Sequence, residues 1–199
     1  MRYTKGLAVV WDMMAKSQGG AIMTRTSVWG VLSWAVAAVL GVGLVVSTDT
    51  AKAEEPAFLA LSVGAYDMND DSTAGEFRAE YRFSEANKLW IFTPFIGVMA
   101  TTDKAVYGYA GLGVDIPLGQ RVVLIPSAAV GAYHDGDGKD LGHTLEFRTG
   151  LELAYRFDNR SRLGIAWHHI SNANLGDSNP GTESVVLTYS MPTDTLFGR

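Results

Sequence analysis

The chain has 199 residues, no cysteine and a formal net charge of −5. That length suits one domain plus a leader. The lack of cysteine excludes disulfides and thiolate metal sites. The acidic balance leaves no footprint for nucleic acid.

The first 53 residues differ from the rest. Val28 to Val46, "VWGVLSWAVAAVLGVGLVV", is an uncharged run of 19 residues with Arg25 before it. "STDTAKA" follows and carries small residues at Ala51 and Ala53. This reads as a secretory signal peptide cut before Glu54. The run is long for a signal, so an uncut bilayer anchor is the alternative. Residues 1–22 are unlike a signal, and Met23 followed by "TRTSVWG" is a more ordinary start. The expected organisation is a leader over 1–53, with its true start at Met23, and one folded domain over 54–199.

Beyond Glu54, alternation replaces helical periodicity. In "EFRAEYRF", Glu76, Arg78, Glu80 and Arg82 share one parity, and Phe77, Ala79, Tyr81 and Phe83 share the other. In "TLEFRTGLELAYRFD", Leu145, Phe147, Leu151, Leu153, Tyr155 and Phe157 oppose Glu146, Arg148, Glu152, Arg156 and Asp158. A strand sends successive side chains to opposite faces, so each segment has an apolar face and a charged one. Eight such segments are expected, near 58–68, 74–84, 89–101, 105–117, 121–134, 143–158, 161–172 and 182–192. Turn-rich pieces separate them. The first, fifth and seventh connections are long. The second, fourth and sixth include the tightest, and the short third, "TDKA", is the exception.

Eight strands with short turns at one end and longer loops at the other fit a small outer-membrane barrel. A soluble sandwich or barrel would put the same charges in water. The envelope-directed leader favours the membrane version. So does the alternation of sign along each strand, which suits cross-pairing inside a closed lumen. The fold expected is all-β, an eight-stranded antiparallel transmembrane β-barrel.

The seventh segment, "RLGIAWHHISNA", places Leu163, Ile165 and Trp167 on the lipid-facing parity, and His169 and Ser171 continue it. The eighth begins its outward parity with Glu183. From a periplasmic N-terminus this hairpin opens outside the cell. Three polar residues, His169, Ser171 and Glu183, then lie on the outer wall near the external interface, where polar groups are costly. Their types are those of a nucleophile, a base and a carboxylate that orients the base. A substrate fitting that place is an amphiphile with its scissile bond at headgroup depth.

The stretch "HISNANLGDSNPGTE" resembles the active-site signature of the outer-membrane lipid A 3-O-deacylases, the PagL family. The shared pattern is His-x-Ser-Asn-Ala followed, after a glycine-containing loop, by Asn-x-Gly-x-Glu. The resemblance implies His169 as base, Ser171 as nucleophile and Glu183 as orienter. It implies oxyanion support from Asn172 and Asn179, a role that backbone N–H groups could fill instead. The implied reaction is hydrolysis of the ester-linked 3-hydroxyacyl chain at position 3 of lipid A in lipopolysaccharide. It requires no metal and no cofactor. The implied partners are lipid A and outer-membrane lipid, and a homodimer is left open. The implied location is the outer membrane, with the active site at the outer-leaflet face. His168 is additional to the pattern and points by parity into the lumen.

Simpler readings compete. A lone histidine at a strand end is usually structural, and only the trio on one parity argues otherwise. His168 and His169 face opposite sides and cannot readily share a metal. "DGDGKDLGHTLE", Asp135 to Glu146, imitates a calcium loop at positions one, three and twelve. Lys139 and Asp140 break it at five and six, so it reads as a solvated loop. An outer-membrane phospholipase would use the same nucleophile chemistry. A structural or adhesive barrel would have no use for the trio.

Overall fold

The computed structural model describes residues 55–68 and 73–197. The leader over 1–53, its cut before Glu54 and the start at Met23 lie outside the described residues. The chain forms β1 (Phe58–Tyr66), β2 (Ala74–Arg82), β3 (Thr93–Thr101), β4 (Val106–Gly113), β5 (Ile116–Pro117), β6 (Val122–His134), β7 (Leu145–Arg156), β8 (Arg162–Ser171) and β9 (Thr182–Pro192). All pairings are antiparallel. β1 pairs with β9 from Phe58↔Pro192 to Tyr66↔Ser184, and this pairing closes the sheet.

β4 and β5 are two halves of one barrel strand. Both hold the same register against β6, through Gly113↔Ser127 and Ile116↔Leu124. The interruption falls opposite Pro126. Val114 N–H donates to the Pro126 carbonyl at 3.0 Å, but proline has no N–H to return the bond. The nine segments therefore make eight strands, as the alternation predicts. The third starts later than expected, at Thr93. Leu89 and Phe92 close a tight turn instead, exchanging backbone bonds of 2.9 and 3.1 Å, with Trp90 at φ 65°.

One end of the barrel carries the connections after β1, β3, β6 and β8. The other end carries the chain ends and the remaining turns. There, a short helix α1 (Thr193–Phe197) follows β9, and Thr193 N–H donates to the Ala57 carbonyl at 2.8 Å. Arg160 pairs with Asp194 at 2.5 Å and holds its carboxyl below the ordinary range.

The faces settle which kind of barrel this is. Glu76, Arg78, Glu80, Glu146, Arg148 and Glu152 all lie inside, each no more than 5% exposed. Leu61, Val63, Phe77, Ile96, Leu151, Ile165 and Leu187 point outward and are about half exposed. A soluble protein has the reverse arrangement. Here the wall is apolar and the centre is ionic, as a bilayer requires. The aromatic pairs Tyr81–Phe83 and Tyr155–Phe157 sit edge to face on the outer wall at the end opposite the long loops.

Most of the interior charges are cross-paired, while the buried Glu146 carboxylate has no hydrogen-bond partner among the described residues. Arg82 bridges Glu80 at 2.8 Å and Glu152 at 2.7 Å. Arg148 reaches Glu80 at 3.1 Å and lies over the Tyr109 ring at 4.2 Å. Arg78 pairs with Glu76. Arg162 spans Glu55 at 3.3 Å and Asp115 at 2.8 Å, with its guanidinium over Phe58 at 4.5 Å. Glu80 is the hub of the central group. Such a pair adds little net stability over a packed apolar core, but removing one partner strands the other.

Two outcomes follow for refolding in lipid vesicles, read by urea titration. Glu80→Ala, which leaves Arg82 and Arg148 each short of a carboxylate, lowers stability by roughly 3–5 kcal/mol. Ile165→Arg, on the lipid-facing wall, lowers it by about 2–4 kcal/mol.

Candidate active site

β8 carries the outward parity up to the loop end. Leu163, Ile165 and Trp167 are exposed on the wall, and His169 and Ser171, half-buried, continue the same face. His168 lies between them in sequence but points into the lumen at 7% exposure. β9 presents Glu183 outward in the same way, with Thr182 and Ser184 buried inside.

The register makes His169 and Glu183 direct cross-strand partners. His169 Nδ1 and Glu183 Oε1 are 2.9 Å apart. An ionised carboxylate only accepts, so Nδ1 carries the proton and Nε2 is left with its lone pair. The imidazole is thus held in place by a carboxylate on the neighbouring strand. Their side chains are 31% and 26% exposed, so the pair is neither fully hydrated nor sealed.

One further contact orients the ring, and one glycine leaves it room. Trp167 stacks on it, with centroids 6.5 Å apart and planes 18° from parallel. Gly181, just before β9, has φ 65°. A Cβ there would stand 3.1 Å from His169 Cε1 and 3.8 Å from Nε2. Glycine suits both the left-handed backbone and the space beside the working nitrogen.

Ser171 is on the same face, two residues along β8, which places it about 7 Å farther up the wall. Its neighbour across the β7 ladder is the outward-facing Phe147, while Thr149 lies opposite His169. Among the described residues no hydrogen bond joins Ser171 to His169. Hydrogen bonds of this type commonly tighten only when substrate is present.

The two asparagines are brought together, but as parts of the loop. Asn172 is fully buried. Its Nδ2 donates to the carbonyls of Leu141 at 2.7 Å and Ser178 at 2.8 Å, and its Oδ1 accepts from Asn174 N–H at 2.9 Å. Its own N–H donates to Asn179 Oδ1 at 3.0 Å, and Asn179 Nδ2 donates to Asn174 Oδ1 at 3.3 Å. Ala173 and Asn174 adopt φ of 54° and 63° within this knot. Both side-chain donors of Asn172 are therefore committed to holding the loop.

The calcium-like stretch does not gather its carboxylates. Asp137 pairs with Lys104 outside, and Glu146 lies inside the barrel. Among the described residues no three histidine or carboxylate groups converge to hold a metal.

The roles of Trp167 and Gly181 at the histidine were not foreseen, although the parity of β8 already placed Trp167 one step below His169. The Leu141 contact had no signal, because it joins positions 31 residues apart.

Comparison with known proteins agrees with this architecture. A crystal structure of the outer-membrane enzyme PagL superposes with a TM-score of 0.53 at 20% identity, covering 68% of this chain and 99% of that one. A crystal structure of Neisserial surface protein A gives 0.50 at 9% identity, covering 71% and 99%. At these identities the likeness concerns the fold. No curated protein sequence matches the chain. The family model described as lipid A 3-O-deacylase (PagL) matches residues 72–192, well over half of the sequence. The chain belongs to the PagL family of lipid A 3-O-deacylases, outer-membrane β-barrel proteins.

Proposed function

We propose that this protein is a carboxylic ester hydrolase that removes the 3-O-linked 3-hydroxyacyl chain from lipid A in the outer leaflet. The observation that carries the reading is the 2.9 Å bond between His169 Nδ1 and Glu183 Oε1 on the lipid-facing wall, with Ser171 on the same face. A solvated surface offers such a pair little function. An apolar wall makes it expensive, unless the groups serve chemistry at the membrane surface. Family membership supplies the substrate class.

Ser171 Oγ attacks the ester carbonyl carbon while His169 Nε2 takes its proton. Glu183 stabilises the imidazolium that forms. The tetrahedral intermediate collapses, the C–O bond to the sugar breaks, and the imidazolium returns the proton to the departing sugar oxygen. Water then attacks the acyl-serine with His169 again as base, releasing the 3-hydroxy fatty acid and restoring Ser171. The oxyanion needs N–H donors near Ser171. Asn179 and the backbone of the 172–181 loop are the nearest candidates in sequence. Asn172 acts by shaping that loop.

Mass spectrometry of lipid A from cells making the wild type shows loss of one 3-hydroxyacyl chain. Ser171→Ala and His169→Ala abolish the change, with rates lower by at least about 10³-fold in detergent micelles. Glu183→Gln leaves more residual activity than either. Heat-modifiable gel migration reports that each barrel is folded. Unaltered lipid A with a folded wild type rejects the deacylase reading and directs the assay to phospholipid. An active Ser171→Ala rejects the nucleophile.

Asn172→Ala breaks the bonds to Leu141 and Ser178 and loosens the loop by about 1–3 kcal/mol. Hydrogen exchange over residues 172–181 rises in step with the loss of activity. Unchanged exchange with lost activity would instead make Asn172 a direct oxyanion donor.

A further inference from the structure

The end of β1 reaches the active site from inside the barrel. Asp67 follows β1 in a left-handed conformation, φ 57°, and is 2% exposed. Its Oδ1 accepts from Thr182 Oγ at 3.1 Å and from Lys139 Nζ at 2.7 Å. The next residue, Met68, donates its N–H to the Glu183 carbonyl at 3.2 Å. Thr182 is 1% exposed and immediately precedes Glu183.

Strand parity gives these bonds a consequence. Holding Thr182 inward obliges Glu183 to face outward, onto His169. Lys139 is the distant contributor. It lies on the connection between β6 and β7, and its carbonyl accepts from Tyr133 Oη at 2.8 Å, which in turn accepts from Tyr66 Oη at 2.9 Å. Two residues on, the Leu141 carbonyl accepts from Asn172, next to Ser171. One connection therefore holds the start of β9 through Lys139 and the end of β8 through Leu141.

We propose that Asp67 and Lys139 are positioning residues for the catalytic base, an ion pair that sets Glu183 against His169 through Thr182. Neither touches the reacting atoms. The effect is geometric, and a displacement of about 1 Å in a catalytic group costs on the order of 100-fold in rate. The inference rests on the deacylase reading, and its test has to separate the two.

The test is a set of mutant cycles on purified, folded barrels, with lipid A in detergent micelles and heat-modifiable migration as the folding control. Wild-type release of the 3-hydroxy fatty acid tests the deacylase reading itself. Given that activity, Asp67→Asn and Lys139→Met each lower kcat by about 10- to 100-fold with KM nearly unchanged. The double variant is no worse than either single one, and Lys139→Arg recovers most of the rate. In a Glu183→Gln background, adding Asp67→Asn changes kcat by less than about twofold, because the group it positions is already disabled. If either charge variant fails to fold, Thr182→Val removes only the hydroxyl link and gives the same loss in kcat and the same silence beside Glu183→Gln. A full additional loss in the Glu183→Gln background overturns the proposal. So does a change confined to KM, or an undiminished kcat in folded Asp67→Asn or Thr182→Val.

Discussion

The outer wall of this barrel faces hydrocarbon, which offers no partner to a polar group. Most charges on the strands are therefore gathered and paired inside. That constraint explains why Glu80 serves both Arg82 and Arg148, and why Arg148 lies over the rings of Tyr109 and Phe95. Pro126 is accommodated for a different reason. A lost ladder bond is local, and the register on both sides of it is the same.

Against that rule, His169, Ser171 and Glu183 stand out by where they are rather than by what they are. Their parity assigns them to lipid, and their height puts them at the loop end of the wall. A bond between adjacent strands fixes the imidazole of His169. The sheet ladder already holds both backbones in place, so little side-chain freedom is lost on forming it. The loops contribute from above and from within. Asn172 ties the β6–β7 and β8–β9 connections together, and the Asp67–Lys139 pair bonds the first residue of β9.

The fold was legible because strand period and burial are coupled. Once Glu76, Arg78, Glu80 and Arg82 alternate with Phe77, Ala79 and Tyr81, two faces are fixed, and only the choice between lipid and water outside remains. The placing of His169 and Glu183 on one outward face was legible for the same reason, whereas their direct pairing comes from the hairpin register. Three things were not legible. The turn at Leu89–Phe92 depends on a left-handed Trp90, which no propensity suggests. The commitment of Asn172 depends on Leu141, on another hairpin. Lys139 looked like an interruption of a calcium loop, and its partner Asp67 lies 72 residues before it. Contacts between hairpins are set by closure of the barrel, which local pattern does not encode.

The ionic centre has one more effect. The space enclosed by Glu80, Arg148, His168 and their neighbours amounts to about 30 Å³, room for roughly one water molecule. At this level the interior is filled by buried ionic side chains. On the proposed function, traffic to the wall-mounted groups runs sideways, in the plane of the leaflet. On that reading, encounter depends on the surface density of the lipid and not on any concentration in the surrounding medium.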